Sequence, residues 1–91
     1  MIFVVDYRYA DAPEAVAAAK PEHRAYLAEQ LAQGSLLASG PLADSAAACL
    51  IVRADGEEEV QDLIQADPIN RAGLLAGADV RQWLPNLGPF A

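Results

Sequence analysis

The sequence carries one cysteine, one histidine and few basic residues, and each scarcity excludes a class of protein. A lone cysteine forms no internal disulfide. Cys49 lies in Ala46-Ala47-Ala48-Cys49-Leu50-Ile51-Val52 with no neighbouring base, so it reads as a small buried hydrophobe rather than a nucleophile. One histidine and one cysteine do not make a zinc site of the usual ligand types within one chain, and no metal is expected. Six basic against thirteen acidic residues give a formal net charge of −7, the wrong sign for following a phosphate backbone, which argues against nucleic acid as a partner. The same charge repels an anionic substrate at long range, so such a substrate needs local help from an arginine such as Arg8, Arg24 or Arg71. The leading run Met1-Ile2-Phe3-Val4-Val5 is too short for a signal peptide or a membrane span, so no membrane partner is expected and the cytoplasm is the expected location.

What is present is a short chain of ordinary globular balance. Hydrophobic residues are 54% and charged residues 21% of the 91, which predicts a single folded domain over 1–91. A chain of this length buries a modest core and gains from a partner subunit. Met1 to Tyr7 or Tyr9 reads as a strand, with Phe3, Val5, Tyr7 and Tyr9 on one face and Ile2, Val4, Asp6 and Arg8 on the other. Asp11-Ala12-Pro13-Glu14 reads as a helix start with Asp11 as N-cap. Pro21 predicts a break near Lys20 and a fresh first turn, after which His23, Leu27 and Leu31 form one i, i+4, i+8 row flanked by Tyr26, and Gly34 caps the end. Ser35 to Ser39 and Ala47 to Ala54 read as a hairpin joined through Leu42-Ala43-Asp44-Ser45. Asp55 then caps an acidic helix start with Glu58, the helix carries Val60, Leu63 and Ile64 inward, and Val80 to Leu84 is the last strand, with Gly73 and Gly77 as breakers before it. The order strand, helix, strand, strand, helix, strand is that of a ferredoxin-like α+β fold, a split βαβ sandwich with both helices on one sheet face. Its uncovered sheet face is apolar enough to predict a homodimer packed sheet to sheet, with pockets near the cavity between the sheets.

The chemistry gathers at the stretch Ala66-Asp67-Pro68-Ile69-Asn70-Arg71. Proline disfavours helical dihedrals in the residue before it, so Asp67 leaves its helix extended and its carboxylate is free to be aimed. The natural target is His23, the only imidazole in the chain. A carboxylate that accepts one ring N–H fixes the tautomer and leaves the second nitrogen as a base, the outer part of a hydrolase triad. No Gly-x-Ser-x-Gly elbow supplies the nucleophile, which favours proton transfer or elimination over acyl transfer. Taken alone, a single histidine on an apolar helix face is more often a satisfied core residue than a catalyst. Tyr7 and Tyr9 are candidates to line the cavity, Ser39 and Gly40 stand where a substrate can approach the backbone, and Arg71 is a candidate to pair with Asp67 or bind an anion. Against each stands a plainer role, as core, strand terminus or solvated side chain. Trp83 reads as a core or dimer-interface anchor.

Pro21-Glu22-His23-Arg24-Ala25-Tyr26-Leu27, Gly34 to Pro41, Asp67-Pro68 with Arg71 to Leu74, and Val80 to Trp83 together resemble the YciI-like family almost end to end. The resemblance implies a ferredoxin-like dimeric α/β barrel, an active-site histidine–aspartate pair that carries over to His23 and Asp67, and no obligatory cofactor. The family is similar in fold to muconolactone isomerases and small monooxygenases, and it includes an enzyme that removes HCl from a chlorinated hydroxyquinol. The sequence departs at Ile69, where the family usually has phenylalanine, which bears on pocket shape. Three readings follow: a small cofactor-independent lyase or isomerase acting on a small cyclic or aromatic compound, a non-catalytic dimeric module that binds a small ligand or assembles with partners, and a cofactor-free oxygenase. Whether the imidazole faces an open cavity separates them.

Overall fold

Alternation along the first strand decides which side of the sheet is covered. In the computed structural model, which describes residues 1–43 and 46–91, Phe3, Val5 and Tyr7 of β1 (Ile2–Tyr9) are buried, while Ile2, Val4 and Asp6 on the opposite face are half-buried. Then follow α1 (Pro13–Gln33), β2 (Leu36–Pro41), β3 (Ala47–Arg53), α2 (Glu57–Ala66), the single turn α3 (Pro68–Arg71) and β4 (Leu75–Trp83). Among the described residues the strands form one antiparallel sheet in the order β2-β3-β1-β4, the ferredoxin-like α+β arrangement the sequence predicts. Phe3, Val5, Tyr7, Leu36, Ala48, Leu50 and Val52 from the sheet meet Val16, Leu27, Val60, Leu63, Ile64 and Ile69 from the helical layer in one core. The turn proposed at Asp44-Ser45 lies outside the described residues.

The expected break at Pro21 does not occur. α1 runs unbroken from Pro13 to Gln33 with Pro21 inside it. Pro21 removes only its own bond to the Ala17 carbonyl, and both residues lie on the exposed side, where water replaces the missing donor. His23 therefore sits in the middle of a long helix instead of opening a short one. Of the predicted row, His23 and Leu27 are buried but Leu31 is exposed. The caps also shift by one residue: Ala12 precedes α1 and Gly56 precedes α2, neither with a side-chain cap, so Asp11 and Asp55 do not serve as N-caps. Gly34 does end α1 in the left-handed region at φ 89°, where a side chain would be strained.

β4 begins at Leu75, five residues earlier than its apolar pattern indicates, and Gly77 lies inside it. Gly77 pairs with Arg8, whose guanidinium lies over it, and a Cβ there would overlap Arg8 Nη2. The glycine leaves room for a side chain from the next strand and is no breaker. In β2 an irregularity between Leu36 and Ala38 makes Leu37 an extra residue, so the face of every later side chain in the strand is reversed. Ser39 and Pro41 thereby pair with Leu50 and Ala48 on the helix side, and Ala38 and Gly40 with Ile51 and Cys49 on the open side.

Candidate active site

Asp67 is placed by two junctions at once. It ends α2 with φ −68° and ψ 125°, an extended geometry that Pro68 favours, and it caps α3 by accepting from the Ile69 N–H at 3.2 Å. Pro68 has no N–H for the Ile64 carbonyl, which accepts instead from the Asp67 N–H at 3.2 Å and from Asn70 Nδ2 at 3.1 Å, while the Tyr26 hydroxyl donates to the Leu63 carbonyl at 2.7 Å. Tyr26 thereby pins the end of α2 to α1, and Asn70 ties it to α3. Neither was singled out by sequence reasoning for this task; Asn70, two residues after the Asp-Pro step, was the available signal.

The carboxylate so positioned is fully buried and meets His23, which is 5% exposed. His23 Nδ1 lies 2.8 Å from Asp67 Oδ1 and 2.9 Å from Oδ2. A carboxylate accepts only, so Nδ1 carries the hydrogen and donates it to both oxygens. The Tyr7 hydroxyl donates to Oδ2 at 2.9 Å. Asp67 thus receives an imidazole N–H, a phenol O–H and a backbone N–H in a site sealed from water. Burial, and then the neighbouring Asp67 carboxylate, push the Tyr7 hydroxyl far above its ordinary range, so it stays a donor.

Nε2, on the other side of the ring, has no protein partner among the described residues, and no buried polar atom there is left unsatisfied. It therefore reaches accessible space. The cavity that His23 lines measures about 260 Å³ and lies between α1 and the β2–β3 side of the sheet. Leu27, Ala48, Leu50 and Pro41 make its apolar lining, and Tyr9, Lys20, Arg24, Ser39 and Gly40 its polar parts. The cavity beside His23 thus lies on the helix side of the sheet, because α1 is continuous and brings His23 over the sheet rather than to its end.

Of the residues proposed from sequence, His23 and Asp67 are brought together across 44 positions, and Ser39 and Gly40 line the cavity beside the imidazole. Tyr7 does not line it; it is fully buried and bonds to Asp67 from behind. Arg71 closes α3, is exposed, and neither reaches the cavity nor forms an ion pair with Asp67. Ile69 is wholly buried in the core and does not shape the cavity wall. Lys20, which no sequence argument singled out, stands at the cavity over the Tyr9 ring, its Nζ 5.1 Å from the ring centroid. Burial and Asp67 raise the Tyr9 hydroxyl, with Arg24 opposing. Cys49 is half-buried on the open face, where burial and Asp6 push its thiol up, away from nucleophile chemistry. Trp83 is 39% exposed on that same face, edge-on to Phe90, and is no part of the core. Among the described residues no three His, Cys, Asp or Glu side chains gather as a metal site, and no helix is long and apolar enough to cross a membrane.

A ferredoxin-like sheet with a histidine–aspartate pair behind a helix-side cavity defines the class. The chain belongs to the YCII-related domain family, which matches residues 1–84. Among solved structures, the fold is similar to 5-chloro-2-hydroxyhydroquinone dehydrochlorinase from Burkholderia phenoliruptrix AC1100, in complex with 2,5-dihydroxybenzoquinone. That likeness has a TM-score of 0.74 at 22% identity over 94% of this chain and 96% of the other. It is also similar to the protein PA3566 from Pseudomonas aeruginosa, with a TM-score of 0.63 at 14% identity over 94% and 93% of the two chains. Comparison with curated proteins gives no match.

Proposed function

We propose that this protein is a small enzyme that moves a proton on a single-ring cyclic or aromatic compound, by elimination or isomerisation, with His23 as general base and Asp67 as the group that orients it. One observation carries the reading: Nδ1 of His23 is held by a buried carboxylate while Nε2 is left as an acceptor at a cavity. In an elimination, Nε2 takes a proton from the substrate, the freed electron pair forms a new π bond, and the leaving group departs with its own bonding pair. In an isomerisation the imidazolium returns the proton to another atom of the same substrate. Either way the positive charge forms beside Asp67, which accepts the Nδ1–H throughout. Neither route needs an oxidant or an added cofactor. The fold shared with an enzyme that removes HCl from a chlorinated hydroxyquinol favours the elimination form and a ring-sized substrate.

The test is turnover of single-ring chlorinated hydroxyquinols, read as chloride release and as absorbance of the product. The wild type is expected to release chloride, His23→Gln to lose about 100-fold or more, and Asp67→Asn to lose comparably while circular dichroism shows the fold retained. Chloride release undiminished in His23→Gln overturns the assignment of the base. Binding by the whole panel without turnover favours the rival reading, a ligand-binding module. We also read the protein as a homodimer, supported by the half-buried Ile2, Val4 and Ile51 and the exposed Trp83 on the sheet face away from the helices. A monomeric mass in sedimentation at assay concentration would refute that.

A further inference from the structure

The chain has more than twice as many acidic as basic residues, yet the described lining of the His23 cavity contains two cations and no carboxylate. Lys20 and Arg24 are four residues apart on α1, so they stand one above the other on the helix surface, with His23 between them in sequence and Leu27 a turn further on. All four line the cavity. Two like charges at that spacing repel. Of the other four basic residues, Arg8 pairs with Asp79 and Arg81 with Asp6, while Arg53 and Arg71 stand exposed away from the cavity. Among the described residues neither Lys20 nor Arg24 has a carboxylate within ion-pair distance. Asp67, the acid behind His23, is fully buried and faces away from the cavity into its own three donors.

From this arrangement, and resting on the reading of the cavity as the substrate site, we propose that the ligand is an organic anion, a flat single-ring carboxylate or acidic phenolate, whose charged oxygen is held by Lys20 and Arg24. Its apolar body lies on Leu27, Ala48 and Leu50, which turns one ring edge toward His23 Nε2. The cavity volume of about 260 Å³ falls under the range usual for drug-sized ligands and suits a molecule of one ring. Arg24 offers a planar fork matched to two oxygens, whereas Lys20 contributes a point charge held over the Tyr9 ring. The two cations also solve a difficulty set by the net charge of −7, since they present a local positive mouth on a molecule that repels anions at a distance. Of the three arginines that sequence reasoning offered for this purpose, the fold brings only Arg24 to the cavity.

The experiment compares benzoate with benzamide, a neutral molecule of nearly the same shape, binding to the full chain, and follows the ring resonances of the single histidine. Benzoate is expected to bind at least ten-fold more tightly than benzamide at low ionic strength, with the gap narrowing as salt is added. Arg24→Gln and Lys20→Gln should each weaken benzoate three- to ten-fold and leave benzamide unchanged, and the double variant should bind the two alike. An unchanged His23 Nδ1–H signal in the variants shows that the buried pair is intact. Equal affinity of the wild type for the two compounds overturns the anion proposal and leaves the cavity as a ligand site. Failure of both compounds to move the His23 resonances overturns the proposal and the substrate-site reading together.

Discussion

The two faces of this sheet carry the same kinds of polar group and treat them in opposite ways. On the helix side Asp67 accepts from His23, Tyr7 and the Ile69 backbone, all within the core. On the open side Arg8 meets Asp79 and Arg81 meets Asp6 at 3.0 Å, with every arginine mostly in water. A carboxylate in water exchanges one set of partners for another at little net gain, whereas one sealed in the core has no substitute for a partner that is lost. The buried cluster can therefore hold an imidazole in one tautomer, and the exposed pairs hold nothing in particular. Chemistry is expected on the first face and association with a second copy on the other.

The sharpest way to break this comparison is to remove the buried acid. Asp67→Ala strands three donors, and its cost is expected at about 3–5 kcal/mol, read as a lower urea midpoint with an unchanged slope. Asp79→Ala on the open face should cost less than about 1 kcal/mol. Equal losses would mean that burial does not separate the two faces.

Tyr7→Phe comes next, at about 1.5–3 kcal/mol for a hydrogen bond to a charged acceptor. Its dependence on pH has a definite sign. The Tyr7 hydroxyl is raised in the folded protein, so below its ordinary value near 10 it is protonated whether folded or not and its bond to Asp67 contributes in full. Above that value the unfolded tyrosine ionises and the folded one does not. The advantage of the wild type over Tyr7→Phe then falls by about 1.4 kcal/mol per pH unit. Urea titrations from pH 8 to 11.5 should show a constant difference that shrinks only above about 10; a difference that never changes would contradict the burial of that hydroxyl.

Asn70→Ala sharpens the contrast at a smaller scale. It leaves the Ile64 carbonyl with the Asp67 N–H alone and is expected to cost about 1 kcal/mol, with a weakened His23 Nδ1–H signal because the turn that aims Asp67 loosens. The smallest effect belongs to the open face. Gly77→Ala brings a Cβ against the Arg8 guanidinium, but that is the far end of a flexible side chain and can move away. Stability should change by no more than about 0.5 kcal/mol, and the change should vanish at 1 M salt as the ion pair it disturbs is screened.

The layout of elements was legible because hydrophobic alternation and the Pro and Gly positions are local signals. The Asp67-Pro68 step declared an extended, aimed carboxylate, and the single histidine left one partner for it. Pro21 misled in the other direction: proline removes one hydrogen bond, and a long helix docked through Val16, His23 and Leu27 tolerates that loss when the freed carbonyl faces water. The same error put His23 in the first turn of a short helix rather than in the middle of a long one. Nor does alternation reveal the extra residue at Leu37, which alone determines that Ser39, rather than Ala38, faces the cavity.

By itself, then, the sequence determined the order of strands and helices, which residues of β1 share a face, and the pairing of one imidazole with one acid, because each rests on short-range pattern or on there being a single candidate. Only the tertiary structure decided that Tyr7 backs the carboxylate, that Tyr26 and Asn70 hold its turn in place, and that Lys20 and Arg24 share a cavity with His23 while Arg71 does not. Those facts depend on which residues distant in the chain are pressed together once water is excluded, and no local periodicity encodes that.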